Sequence, residues 1–192
     1  MSTSNPPGAS GDFCRTLYRV ARAVNSSLDV MQVLDMVVTS TTEAMAAKAC
    51  SLRLLGPDGA HLMFGAAHGL SANYRAKGLV IASHSEVDRL ALSAGTPVYV
   101  ADARTDPRVQ YPEQAREEGI VSVLVVPLRV QDQPVGVMRV YTSTQHEFSD
   151  AELELAEAIA SLSALAIENG RLYERLNRDY EAALAFNDRV FD

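Results

Sequence analysis

Phe148-Ser149-Asp150-Ala151-Glu152 is a helix start, and one rhythm runs through the chain after it. Ser149 and Glu152 stand at capping-box spacing, and Phe148 is placed to staple onto Leu153. Leu155, Ile159, Leu162, Ala166, Asn169, Tyr173, Leu176, Tyr180 and Ala183 then alternate by four and three, the spacing of a helix that pairs with another helix. Up to Leu172 a flanking column of Ala158, Leu165 and Leu172 widens the stripe, which predicts packing on a globular core. From about Tyr173 only the narrow seam remains, which predicts projection toward a partner helix. Asn169 in the seam can fix register at a cost in stability, and Gly170 beside it costs up to about 1 kcal/mol relative to Ala.

The 192 residues suit one domain with helical extensions, and a hydrophobic content of 47% is ample for a core. The expected division is a disordered tail over 1–11, a single domain over 12–172 and a helical extension over 173–192. The tail is Ser, Pro and Gly without an apolar run, neither signal peptide nor membrane anchor, so a cytoplasmic location is expected. A net charge of −7, no Trp and no Lys/Arg cluster interleaved with aromatics argue against nucleic-acid binding. Cys14 and Cys50 fit no zinc or redox spacing and read as buried, reduced thiols.

Upstream of the long helix the pattern alternates. Ser10 can cap a first helix running to about Val24, where Phe13, Leu17, Val20 and Val24 form a second pairing stripe. Asp29 caps a second helix with Val33, Leu34, Val37, Val38 and Met45 on its core face. Ala49–Leu55 reads as a strand with Cys50, Leu52 and Leu54 on one face and Ser51 and Arg53 on the other. Gly56-Pro57-Asp58-Gly59 turns it back into His61–His68. The stretch 69–82 is a loop with room for a short strand. Ser83 and Glu86 then stand at capping-box spacing before a helix ended by Gly95. A short strand over 97–100, a polar loop over 101–107 and a short helix over 112–118 follow. Residues 122–130 and 135–141 form a valine-rich hairpin turned at Gln131-Asp132-Gln133-Pro134. Hairpins at both ends with helices between them predict an α+β fold with an antiparallel sheet.

Several segments, in their order and spacing, resemble the GAF domains, small-molecule sensor modules of signalling proteins. They are Leu28-Asp29-Val30, Gly95-Thr96-Pro97-Val98-Tyr99-Val100-Ala101-Asp102, Gly119-Ile120-Val121-Ser122-Val123-Leu124-Val125-Val126-Pro127-Leu128, Pro134-Val135-Gly136-Val137-Met138, Phe148-Ser149-Asp150 and Ala166-Ile167-Glu168-Asn169. The resemblance runs from about Leu28 to Leu172. It implies a six-stranded antiparallel sheet, with the N- and C-terminal helices on one face and a ligand pocket on the other, roofed by residues 70–119. It also implies a homodimer through paired terminal helices that relays a signal to a downstream protein. Phe64, His84, Val87, Tyr99, Asp102, Tyr111 and Ser122 are the ligand-binding residues expected on this basis.

Departures from the subfamilies narrow the ligand. Cyclic-nucleotide-binding members carry an Asn-Lys pair where Thr142-Ser143-Thr144 stands here, and bilin-binding members attach chromophore through a cysteine commonly followed by His, unlike Cys14 or Cys50. Free methionine-(R)-sulfoxide reductases need an attacking and a resolving thiol in the pocket, and neither cysteine is expected there. Ser83-His84-Ser85 lacks a nucleophile elbow, and His61, His68 and His146 share no metal spacing. Asp102 and Asp106 read as turn carboxylates accepting backbone hydrogen bonds. Some members of the resembled family hold haem or iron in the pocket, and His84, Tyr99, Asp102 and Tyr111 are the first candidates for it here. The expectation is therefore a non-enzymatic sensor, or a degenerate GAF domain kept as a dimerisation scaffold, with cofactor and ligand left unnamed.

Overall fold

The computed structural model describes residues 9–26, 29–76, 80–81 and 85–190. In chain order these form α1 (Ala9–Ser26), α2 (Val30–Ala44), β1 (Ala49–Leu55), β2 (His61–His68), α3 (Ala72–Arg75) and β3 (Val80–Ile81). Then come α4 (Glu86–Ala94), β4 (Val98–Val100), α5 (Pro112–Glu118), β5 (Val123–Val130), β6 (Gln133–Tyr141) and α6 (Asp150–Val190). The strands make one six-stranded antiparallel sheet in the order β3-β2-β1-β6-β5-β4.

Because side chains alternate along a strand, each central strand divides its residues between two layers. Cys50, Leu52, Leu124, Val126, Leu128, Met138 and Val140 join the core beneath α1, α2 and α6. Val123, Val125, Val137 and Tyr141 join a second, smaller core beneath α3, α4 and α5. The terminal helices therefore share one face of the sheet, as the resemblance implies.

Local chemistry fixes the element ends. The Asp29 carboxylate accepts from the Met31 and Gln32 amides at the start of α2. At the start of α6 the Glu152 carboxylate accepts from both the amide and the hydroxyl of Ser149, each at 2.8 Å. Phe148 and Leu153 both pack against the core below, which completes the staple. Gly95 and Gly119 end α4 and α5 in the left-handed conformation.

Three expectations are corrected. Helix α1 begins at Ala9, so Ser10 lies inside it and does not cap it; residues 1–8 lie outside the described ones. Its stripe is consumed within the chain: Val20 is fully buried and Phe13, Leu17 and Val24 pack on the same core. Helix α4 starts at Glu86 with Ser85 as its N-cap, and the box expected with Ser83 falls on a residue outside the described ones. The hairpin turn is tighter than four residues, because Val130 already pairs with Gln133 and Gln131 takes a positive φ of 54°. A short helix, α3, was also invisible in the loop, although Ser71 caps it through the Tyr74 amide.

Helix α6 buries the expected seam through Leu155, Ile159 and Ala166, but broadens on the other side, through Ala156, Ala160, Ser163, Ala164 and Ile167. Small residues there let the helix lie close to its neighbours, and each fully buried Leu or Ile contributes about 1.5–3 kcal/mol. Leu165 and Leu172, expected on the core, are 48% and 50% exposed. Gly170 answers a packing demand: a Cβ there would lie 2.0 Å from Cγ2 of Val30 at the start of α2.

Gly170→Ala is therefore expected to destabilise the domain by about 1 kcal/mol in urea denaturation, overpacking outweighing the gain in helix propensity. In a Val30→Ala background the same change should become neutral or stabilising. The Glu152 carboxyl, opposed by burial but favoured by Ser149 and His146, sits below its ordinary value. A depressed carboxylate adds stability at pH above its unfolded value of about 4.3 and loses it as pH falls through the folded value. Denaturation curves from pH 7 to 3 should show a shallower acid loss for Glu152→Gln than for the parent chain.

Candidate functional site

On the face away from the terminal helices, the two central strands carry polar side chains where the alternation alone would allow apolar ones. Strand β1 contributes Ser51 and Arg53, and β6 contributes Arg139 and Tyr141, with Ser51 paired to Arg139 in register. All four lie under the layer of short helices. Ser51 and Tyr141 share a hydrogen bond of 3.0 Å between their hydroxyls. Tyr74 of α3 meets the Tyr141 ring edge-on, with centroids 6.1 Å apart.

A buried guanidinium demands a counterion, and α4 supplies it. Arg139 Nε donates to Asp88 Oδ1 at 2.9 Å and Nη2 donates to Oδ2, a bidentate pair whose carboxylate side chain is wholly buried. Asp88 also lies in the first turn of α4, where the helix dipole favours an anion. Burial opposes the charge on Arg139, but the Asp88 carboxylate outweighs it and holds the guanidinium above its ordinary pKa. Arg53 is pushed the other way, first by desolvation and then by Arg139. Tyr74 is raised by burial and by the neighbouring Tyr141.

Above this floor lies a cavity of about 40 Å³, lined among others by Ser85, Val87, Gln110, Tyr111, Arg139 and Tyr141. That volume holds roughly three water-sized atoms. Gln110 Nε2 donates to the Tyr111 hydroxyl at 3.2 Å, while its Oε1 is buried with no hydrogen-bond partner among the described residues.

The cavity brings together Val87 and Tyr111 of the seven expected ligand-binding residues. His84 lies outside the described residues. Phe64 is on the outer part of the sheet, 48% exposed, beside Ala72 and Arg75. Tyr99 lies away from the cavity: its ring meets Phe148 edge-on at 6.0 Å, ahead of α6. Strand alternation puts Val98 and Val100 in the smaller core and turns Tyr99 away. Asp102 is held in its loop by the Arg104 amide and guanidinium, which bring its carboxyl down to about 2. Asp106 repeats the arrangement with Arg108. Ser122 splints two segments, donating to the Ala101 carbonyl at 2.7 Å and accepting from the His146 amide. Tyr99, Asp102 and Tyr111, the described candidates for a haem or iron, thus do not converge. Among the described residues no cluster of three His, Cys, Asp or Glu side chains could hold a metal.

Neither thiol faces the cavity. Cys50 points into the core beneath the terminal helices, where burial raises its pKa. Cys14, expected to be buried, is exposed on α1, a surface position that the stripe of Phe13 and Leu17 leaves to it. Sequence reasoning missed Arg139, Arg53, Asp88, Tyr74, Tyr141 and Gln110. A detectable signal existed for one of them, since Arg139 interrupts an otherwise apolar run in a strand placed at the centre of the sheet.

An antiparallel sheet with end helices on one face and a polar-floored cavity under short helices on the other is the architecture of the sensor modules of signalling proteins. The chain belongs to the GAF domain family, whose sequence pattern matches residues 29–167. It is similar to the GAF domain of a phosphoenolpyruvate-protein phosphotransferase from Coxiella burnetii, at 22% identity and a TM-score of 0.76, over 88% of this chain and 99% of that one. The corresponding domain from Acinetobacter gives 24% and 0.71, over 83% and 94%. A free methionine-R-sulfoxide reductase from Neisseria meningitidis, solved with its substrate, gives 16% and 0.71, over 90% and 98%. At these identities the likeness carries the fold alone. No curated protein matches the chain. Among the described residues no helix is long and apolar enough to cross a membrane.

Asp88→Asn leaves Arg139 buried without its counterion and should cost about 3–5 kcal/mol in chemical denaturation. The double change Asp88→Leu with Arg139→Met removes both charges and should recover most of that loss.

Proposed function

We propose that this GAF domain is a non-enzymatic regulatory module acting as a homodimer, in which a small molecule bound above the Arg139 floor biases the pairing of the terminal helices. The observation that carries the reading is the course of α6. Its first half is buried on the sheet through Leu155, Ile159 and Ile167, and the same helix continues into Tyr173, Leu176 and Tyr180, which are 46%, 66% and 64% exposed. A helix of 41 residues spans about 60 Å, long enough to carry a shift at the sheet to a partner well beyond it. Leu165 and Leu172 extend the exposed row back along the domain, so a second α6 could pack along most of the length.

Occupancy signals only if the ligand distinguishes two arrangements of the helix pair. The absence of a thiol in the cavity supports a binding rather than a reductase role, since sulfoxide reduction requires an attacking thiolate. The output goes to a downstream signalling partner or an attached domain.

A second reading rests on the cavity itself. At about 40 Å³ it is well below the 300–1,000 Å³ or so of ordinary small-molecule sites. That favours a domain kept for dimerisation, or one whose ligand is very small. Light scattering separates the parts of the reading. The full chain is expected to be a dimer, and a chain ending at Leu172, or one carrying Leu176→Asp with Tyr180→Asp, a monomer at micromolar concentration. A monomeric full chain would remove the dimer from the proposal.

A further inference from the structure

We propose that the cavity takes a compact, neutral molecule of the carboxamide class, whose carbonyl oxygen accepts from Arg139 and whose N–H donates to Gln110. This inference rests on the small-molecule reading and names the chemistry of the ligand. Charge is the first filter. Asp88 meets the Arg139 guanidinium through two hydrogen bonds, and its carboxylate side chain is wholly buried. Arg139 is the one cavity-lining residue with a formal charge, so the walls and the ion pair behind them sum to zero. An anion entering this space would give up its hydration with no unmet charge to receive it, and a cation would be repelled by the guanidinium. The net charge of −7 on the whole chain adds long-range repulsion against anions. A neutral ligand escapes both costs.

Hydrogen-bonding capacity is the second filter. Gln110 Oε1 is buried at the cavity with no partner among the described residues, and only an N–H or O–H group can satisfy it. The other end of the same amide is engaged, since Nε2 donates to the Tyr111 hydroxyl, so the open end is the carbonyl. At Arg139 the ion pair uses Nε and Nη2, while Nη1 makes no hydrogen bond among the described residues. One small cavity therefore offers a donor and an acceptor, the complement of a C(=O)–NH unit. A hydroxyl carries both functions on a single oxygen, whereas an amide separates them, which suits partners held by different elements, β6 and the loop after β4. A space for roughly three water-sized atoms limits the rest of the molecule to a short end, and Val87, Val100 and Val125 give that end apolar walls.

The test is an NMR titration of the full chain with acetamide, acetone, sodium acetate and 2-propanol, which share one branched heavy-atom skeleton, following the Gln110 side-chain amide and the Arg139 Nε–H. Acetamide is expected to give saturable shifts of both signals at millimolar concentration. Acetone lacks the donor, acetate lacks it and is charged, and 2-propanol has no separate acceptor. Each should bind about tenfold or more weakly, the worth of leaving one buried hydrogen-bonding group unsatisfied. A Gln110→Leu chain, with the acceptor removed, should bind acetamide and acetone alike. If that chain does not fold, the ranking of the four molecules on the parent chain decides the matter. Any of the other three binding as tightly as acetamide overturns the proposal, as does a Gln110→Leu chain that keeps the preference for acetamide. Absence of a saturable response to acetamide also overturns it, the result expected of a cavity that holds only water. A different molecule retained through purification and seen by native mass spectrometry, with no response to acetamide, would overturn the carboxamide assignment while leaving the sensor reading in place.

Discussion

A guanidinium in the middle of a sheet is tolerable only if something brings charge to it, and in this domain that need ties the sheet to the layer of α3, α4 and α5. Arg139 sits on β6, flanked in the sheet by β1 and β5, and Asp88 arrives from α4 to form a bidentate pair. With its start at Glu86, α4 buries Asp88 and places Ser85 at the cavity.

The opposite layer obeys a different rule. Beneath α1, α2 and α6 the core is almost wholly apolar, and closeness of approach is its limiting quantity. Alanines at 156, 160 and 164 and glycine at 170 let α6 settle onto its neighbours. The helix is consequently rotated so that Leu165 and Leu172 face outward, which joins them to Tyr173, Leu176 and Tyr180 in one exposed row. The sheet thus separates a layer with a polar, ion-paired floor from an apolar layer of packed helices. Arg171 bridges toward the sheet by donating to the Leu55 carbonyl at 2.7 Å, close to the point where the helix leaves the domain.

The candidate site was less legible than the fold for a definite reason. Val87 and Tyr111 could be anticipated because they lie in segments that roof the cavity. Tyr99 and Ser122 were drawn from equally plausible segments, yet one residue of strand phase sends Tyr99 to the other layer, and Ser122 is engaged as a splint. Arg53 was placed on the correct face by alternation, but nothing local marks which groups share its buried layer. That property belongs to its neighbours, which come from other strands and helices.

Interactions that span four residues or fewer were settled by the sequence itself: the Asp29 cap, the Ser149–Glu152 box, the glycine ends of α4 and α5, the strand alternation and the first hairpin turn. Each depends on backbone sterics and hydrogen bonds that a short segment makes with itself. Tertiary structure alone decided the pairing of Arg139 with Asp88, 51 residues apart, the small volume above them and the side of α6 that is hidden. These are questions of desolvation and close packing, whose energies are set by which distant groups share a dry space, and no segment carries that information in isolation.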